Sequence, residues 1–140
     1  CYVVGKGSDV AHKLVEVAEK SFYEGIKYAK PGNRISDISH AIQEYVEANG
    51  FSVVREYQGH GIGRDMHEDP GVPNYGKSGR GPRLEAGMVI AVEPMINEGT
   101  YDIITEPDGW TVLTADGKLS AHYENTIVIT KNGPEILTVL

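Results

Sequence analysis

The sequence predicts an α+β domain in which two amphipathic helices lie over a largely antiparallel sheet. Three observations carry this. The first 50 residues hold two stretches with an apolar period near 3.6. After Gly50 the pattern changes to short, β-branched runs. Several of these runs are separated by Asp108-Gly109, Asp116-Gly117 and Asn132-Gly133, dipeptides that suit tight antiparallel connections.

Taken in order, Cys1-Tyr2-Val3-Val4 reads as a strand closed by Gly5-Lys6-Gly7. Ser8 or Asp9 then caps a helix to about Ala29. Its apolar stripe is Leu14, Ala18, Phe22, Ile26 and Ala29, widened by Val10 and Val17, and Pro31-Gly32 ends it. In the second helix Ser36 is the expected N-cap, preceded by Ile35. Ile38, Ala41, Ile42, Tyr45 and Val46 form its apolar face, and Asn49-Gly50 its C-terminal cap. His12 and His40, on or near these helices, read as solvated surface residues.

Phe51 to Tyr57 is a predicted strand that delivers the segment Gly59 to Glu68. From Asp69 to Pro82 the many Gly and Pro residues predict a long surface loop, of the kind that borders binding sites. Further strands are expected over Met88 to Met95, Tyr101 to Thr105, Trp110 to Thr114, Ser120 to Thr130 and Glu135 to Val139. There is no internal repeat and no low-complexity tract.

Bulk properties narrow the function. A chain of 140 residues is one domain, spanning 1–140, with 40% hydrophobic and 24% charged residues as in ordinary soluble proteins. A net charge of -7 provides no basic field to collect phosphates, which argues against nucleic acid as a partner. Apolar runs such as Met88 to Val92 are too short to span a bilayer, so no membrane partner is expected, and no charged-then-apolar leader opens the chain. Cys1, the single cysteine, cannot form an internal disulfide, which fits a cytoplasmic location. Because the chain opens directly in a strand-like run without an initiator methionine, completion by upstream residues or another chain is expected.

Chemistry is concentrated around Gly59-His60-Gly61-Ile62-Gly63-Arg64-Asp65-Met66-His67-Glu68. Glycines let the backbone approach other groups closely, and imidazole binds metals or moves protons near neutral pH. Two carboxylates further on, Glu93 and Glu124, read as mid-strand residues. Strand alternation puts Glu93 on a face with Val89, Ala91 and Met95, where an acid needs a partner. The partner is either a salt bridge to Arg55, Arg64 or Arg83, or a metal. Glu124 shares its face with His122 and Thr126, and alone reads as an exposed strand residue. One imidazole and two carboxylates suit divalent Mn, Fe, Co or Zn. A nearby second histidine suits proton transfer or oxyanion stabilisation.

Five strings carry a resemblance that covers essentially the whole chain in order. They are Tyr57-Gln58-Gly59-His60-Gly61-Ile62-Gly63-Arg64, Met66-His67-Glu68-Asp69-Pro70, Gly87-Met88 with Glu93-Pro94-Met95, Asp108-Gly109-Trp110-Thr111-Val112, and Ser120-Ala121-His122-Tyr123-Glu124-Asn125-Thr126-Ile127. Together they resemble type I methionine aminopeptidases. The resemblance implies half of a "pita-bread" α+β fold and two divalent metal ions (Co, Mn, Fe or Zn) per complete site. It implies that His60, Glu93 and Glu124 are metal ligands. It gives His67 contact with the substrate and stabilisation of the transition state, and makes Tyr57, Met66 and Trp110 pocket residues for the methionine side chain. The implied activity is removal of the N-terminal methionine of nascent peptides by metal-activated water.

This chain matches only the carboxy-terminal half of that family. Two aspartate ligands and a further histidine belong to the amino-terminal half, so a complementary chain or the missing half is the expected partner. Met66 and Gln58 stand where an aromatic residue and a cysteine are more usual. His122 and Asn125 stand where glutamine and histidine are common. Prolidase-like peptidases share the fold but usually carry Glu-Pro-Gly where this chain has Glu93-Pro94-Met95. Two alternatives are a non-catalytic protein-binding relative, or inactive fragment, and a mononuclear two-Glu-one-His site. The first sits poorly with the three retained ligands, the second with the motif context.

Overall fold

The computed structural model describes residues 1–139. Helix α1 spans Asp9–Ile26; Ser8 is its N-cap, with the hydroxyl accepting from Ala11 N at 3.2 Å. Helix α2 spans Ile35–Ala48. Its N-cap is Arg34 rather than Ser36, so Ile35 is already helical. Asp37 explains the shift, since its Oδ2 accepts from Arg34 N at 2.7 Å. The same carboxylate accepts from Ser78 Oγ and Gly79 N, and thereby ties the 76–82 loop to the start of α2. These bonds, that from Ser78 foremost, hold the Asp37 carboxyl below the usual aspartate range.

The two helices pack together over an apolar core. Leu14, Val17, Ala18, Phe22 and Ile26 of α1 meet Ile38, Ile42 and Val46 of α2 in one cluster. Val10, read as part of the stripe, is exposed instead. Ala29 is buried, but beyond the end of the helix. Phe22 is fully buried and meets Tyr23 edge-on, with ring centroids 5.2 Å apart. His12 lies at the surface with Nε2 2.8 Å from the Lys6 carbonyl. His40 is half-buried, and its Nδ1 lies 3.1 Å from the Gly76 carbonyl, so it too helps to hold the loop.

Ten short strands follow: β1 Ser52–Val53, β2 Gly59–Gly61, β3 Glu68–Val72, β4 Val89–Val92, β5 Met95–Asn97, β6 Ile103–Thr105, β7 Val112–Thr114, β8 Ser120–His122, β9 Asn125–Thr130 and β10 Gly133–Ile136. They form an antiparallel five-stranded sheet in the order β10-β9-β4-β2-β3, a three-stranded sheet β1-β5-β8 and the hairpin β6-β7. The α+β class is as the periodicities predict.

The differences lie in strand number and extent, and β2 and β3 fall where no strand is expected. Residues 1–4 are not a strand, and of Phe51–Tyr57 only Ser52–Val53 is one. The expected 69–82 loop begins inside β3. Asp108-Gly109 and Asn132-Gly133 close hairpins, whereas Asp116-Gly117 links β7 and β8, which lie in different sheets. Among the described residues no helix is long and apolar enough to cross a membrane.

The two predicted strands that carry the acids are each broken in two. Val89–Val92 and Asn125–Thr130 pair in the large sheet, as far as Val92 opposite Asn125. The same two chain segments then leave that sheet and pair again as β5 and β8, with Met95 opposite His122. Pro94 supplies the reason, because it has no N–H to donate to a ladder. Its carbonyl still accepts from Tyr123 N at 3.1 Å, which holds the ribbon together through the bend.

Candidate metal centre

Glu93 and Glu124 therefore sit at the bend, where the ribbon passes from one sheet to the other, and not in mid-strand. Side chains at such a break are released from strict alternation and can converge. Asn74, fully buried in the stretch read as loop, braces the bend by donating from Nδ2 to the Glu93 carbonyl at 3.0 Å.

His60 comes from β2, which lies beside β4 in the large sheet. The glycines on either side of it are set by close backbone approach. A Cβ at Gly59 would stand 2.2 Å from the Ala91 carbonyl oxygen, and one at Gly61 2.3 Å from that of Asp69. Hence the Gly-His-Gly spacing: glycine admits the neighbouring strands, and histidine alone projects a side chain. His60 Nδ1 lies 3.0 Å from the Gly61 carbonyl. A carbonyl only accepts, so Nδ1 carries the proton and Nε2 presents its lone pair.

That lone pair faces the acids. His60 Nε2 is 3.6 Å from Glu93 Oε1, with both side chains only 15% exposed. One ligand atom each from His60, Glu93 and Glu124 lies within 4.8 Å of the others. For comparison, ligand atoms about 2.1 Å from a tetrahedral ion stand about 3.4 Å apart. A nitrogen lone pair and two carboxylates converging at this spacing fit a divalent cation. Among the described residues neither Glu93 nor Glu124 pairs with an arginine or lysine. Arg55 lies over the Tyr101 ring instead, 3.8 Å from its centroid, and Arg83 donates to the Gly32 carbonyl.

His67, just ahead of β3, is brought beside His60, the ring centroids being 4.1 Å apart. It is exposed and thus open to a bound molecule. The three predicted pocket residues are not gathered in the same way. Tyr57 lines an apolar cavity of about 310 Å³ with Val54, Met95, Ile103, Val112 and Leu113. Met66 is 72% and Trp110 87% exposed, and neither lines that cavity.

Residue 122 is the group that sequence reasoning passed over. The sequence sets it on the face of Glu124, at a position where glutamine is common, without giving it a role; its Nε2 lies 3.5 Å from Glu93 Oε2 and 3.9 Å from Glu124 Oε2. The available signal was its spacing of two from Glu124 on a strand. Behind it, burial and then the Tyr23 hydroxyl push the Tyr123 phenol up to about 12, so Tyr123 stays protonated and accepts from Asn125 Nδ2 at 3.0 Å.

Comparisons with known proteins give the family and the fold. The model of metallopeptidase family M24 matches residues 1–131. The methionine aminopeptidase of Clostridium perfringens is 64% identical over 137 residues, covering 98% of this chain and 55% of that protein. The crystal structure of the Thermotoga maritima methionine aminopeptidase superposes with a TM-score of 0.97 at 50% identity, covering 99% of this chain and 56% of that one. The prolidase of Pyrococcus furiosus, at 24% identity and a TM-score of 0.75, shares the fold alone. The chain thus spans about half the length of the curated relatives it matches, and its two helices and antiparallel sheets are half of the pita-bread fold. Both the matched model and these relatives place the chain in metallopeptidase family M24, beside the bacterial methionine aminopeptidases.

Proposed function

We propose that this chain supplies one wall of a two-metal centre in a methionyl aminopeptidase, which removes the N-terminal methionine from nascent proteins in the cytoplasm. The observation that carries the reading is the convergence of His60 Nε2 with Glu93 and Glu124, with the His67 ring beside that of His60 at a 48° tilt. His60, Glu93 and Glu124 would hold divalent ions (Co, Mn, Fe or Zn), which acidify a water towards neutrality when bound.

Three ligand side chains are too few to enclose two ions, and the matched relatives are about twice as long. Further ligands from residues beyond this chain, in the same polypeptide or a complementary one, complete the centre. Such residues would also cover the exposed apolar hairpin residues Ile104, Trp110 and Leu113.

His67 is the group that meets the substrate. Exposed beside His60, it donates to the oxygen of the first peptide carbonyl and stabilises the charge that develops there. Tyr57, Met66 and Trp110 border the pocket of the methionine side chain once the facing wall is present.

The test is hydrolysis of Met-Ala-Ser by the full-length protein, with Mn, Co or Fe added and bound metal measured in the same sample. His67→Ala lowers kcat by about 10²–10³-fold while metal content stays unchanged. Hydrolysis that survives this change undiminished refutes the role of His67. Absence of both metal and hydrolysis in the unaltered protein refutes the reading as a whole.

A further inference from the structure

His122 is the polar group at the centre that neither the ligand set nor the chemistry above uses. Its side chain is 42% exposed, yet Nε2 itself is buried and has no hydrogen-bond partner. A buried polar atom without a partner is costly and calls for an explanation. Here the explanation lies in its neighbours. Nε2 stands between Glu93 Oε2 at 3.5 Å and Glu124 Oε2 at 3.9 Å, while His60 faces the other oxygen of Glu93, Oε1, at 3.6 Å. Glu93 therefore has an imidazole at each oxygen. Two carboxylates that converge on one point repel each other, and an N–H donor placed between them relieves that repulsion on the side away from His60.

We propose that His122 is a positioning residue of the centre, with its Nε2–H presented to the carboxylates of both Glu93 and Glu124. By holding the Oε2 atoms it turns Glu93 Oε1 towards His60 Nε2 and so sets the affinity of the centre for a divalent ion. Strand β8 anchors this arrangement, because pairing with Met95 of β5 fixes the His122 backbone across the same bend that carries Glu93. The inference rests on the reading of His60, Glu93 and Glu124 as metal ligands.

The experiment compares Co(II) binding by the metal-free full-length protein with that of His122→Gln and His122→Ala, by calorimetry. Glutamine places its side-chain N–H at the reach of imidazole Nε2 but is a poor ligand for Co(II), whereas alanine leaves both acids unheld. His122→Ala is expected to bind Co(II) about 10–100-fold more weakly. His122→Gln should bind within a few-fold of wild type and keep every hyperfine-shifted imidazole N–H signal of the Co(II) protein. If His122→Ala does not fold, His122→Asn, whose amide is one methylene short, takes its place.

Unchanged affinity in His122→Ala overturns the proposal. Affinity in His122→Gln as low as in His122→Ala overturns it too. Loss of one imidazole signal in His122→Gln makes His122 a direct ligand, with the same consequence. A wild-type protein that takes up no Co(II) fails at the metal centre itself, an outcome distinct from the other three.

Discussion

Gly61→Ala tests whether close strand packing aims His60. Gly61 pairs with Glu68 of β3 on one side and with Ile90 of β4 on the other. A Cβ there would lie 2.3 Å from the Asp69 carbonyl oxygen, 2.8 Å from its carbon and 2.9 Å from the Glu68 carbonyl oxygen. Ordinary contact begins at 3.4 Å, so the backbone of β3 has to retreat by roughly an ångström. Backbone cannot swing aside as a side-chain tip does, and overpacking of this kind costs about 1–3 kcal/mol. With about 2–4 °C of melting temperature per kcal/mol for a chain near this size, Tm falls by about 2–12 °C. Because β3 follows directly on His67, its retreat also moves that ring relative to His60. A displacement of about 1 Å in a catalytic group costs on the order of 10²-fold in kcat/KM.

Gly63→Ala is the matched control. Its Cβ would meet Glu68 Oε2 at 2.2 Å, nominally as severe, but that atom ends a flexible side chain. Glu68 swings away at the loss of its 2.8 Å bond from Asp65 N, about 0.5–1.5 kcal/mol. Thermal unfolding and Met-Ala-Ser kinetics on both variants decide the matter. A Gly61→Ala protein with wild-type Tm and kinetics refutes the reasoning, as does a Gly63→Ala protein damaged equally.

Two further outcomes follow from the helical layer. The Asp37 carboxyl is depressed in the folded state, so below about pH 4, near the unfolded aspartate value, the unfolded chain takes up its proton first and stability falls as pH falls. Asp37→Asn should unfold less steeply in that acid range while being less stable at pH 7; equal acid slopes in chemical denaturation would contradict this. Phe22→Ala, at a fully buried site between the helices and Tyr123, is expected to cost about 3–5 kcal/mol in urea unfolding. A loss below about 1 kcal/mol would show that the core collapses around the gap instead.

Both helices were legible because their apolar stripes and the Ser8 cap are local signals, repeated over many residues. The second cap was misplaced because Ser36 is a good local candidate, while the choice of Arg34 depends on Asp37 reaching back and on a loop some forty residues away. Most of the later strands were legible for the same local reason, but strand extent was not. Residues 1–4 are not a strand, and β2 and β3 went unpredicted because their glycines carry no strand signal. Pro94 was the visible sign that Met88 to Met95 could not be a single strand, and it was outweighed by the β-branched run before it. The matching break at Tyr123-Glu124 has no proline; it is imposed by the partner strand across the bend.

The candidate site divides along the same line. Residue types and motifs in the sequence determined which family this is, and singled out His60, Glu93 and Glu124 as candidate donors and His67 as a candidate beside them. Only the tertiary structure decided that both acids sit at a crossing between sheets, that His60 is aimed by glycines packed against β3 and β4, and that His122 lies between the carboxylates. The physical reason is range. Periodicity, capping and motif spacing act over a few residues, whereas the centre is assembled by strand pairing between segments about thirty to forty residues apart, as Gly61 with Ile90 and Ile90 with Ile127, and the orientation of a side chain there depends on what its neighbours leave open.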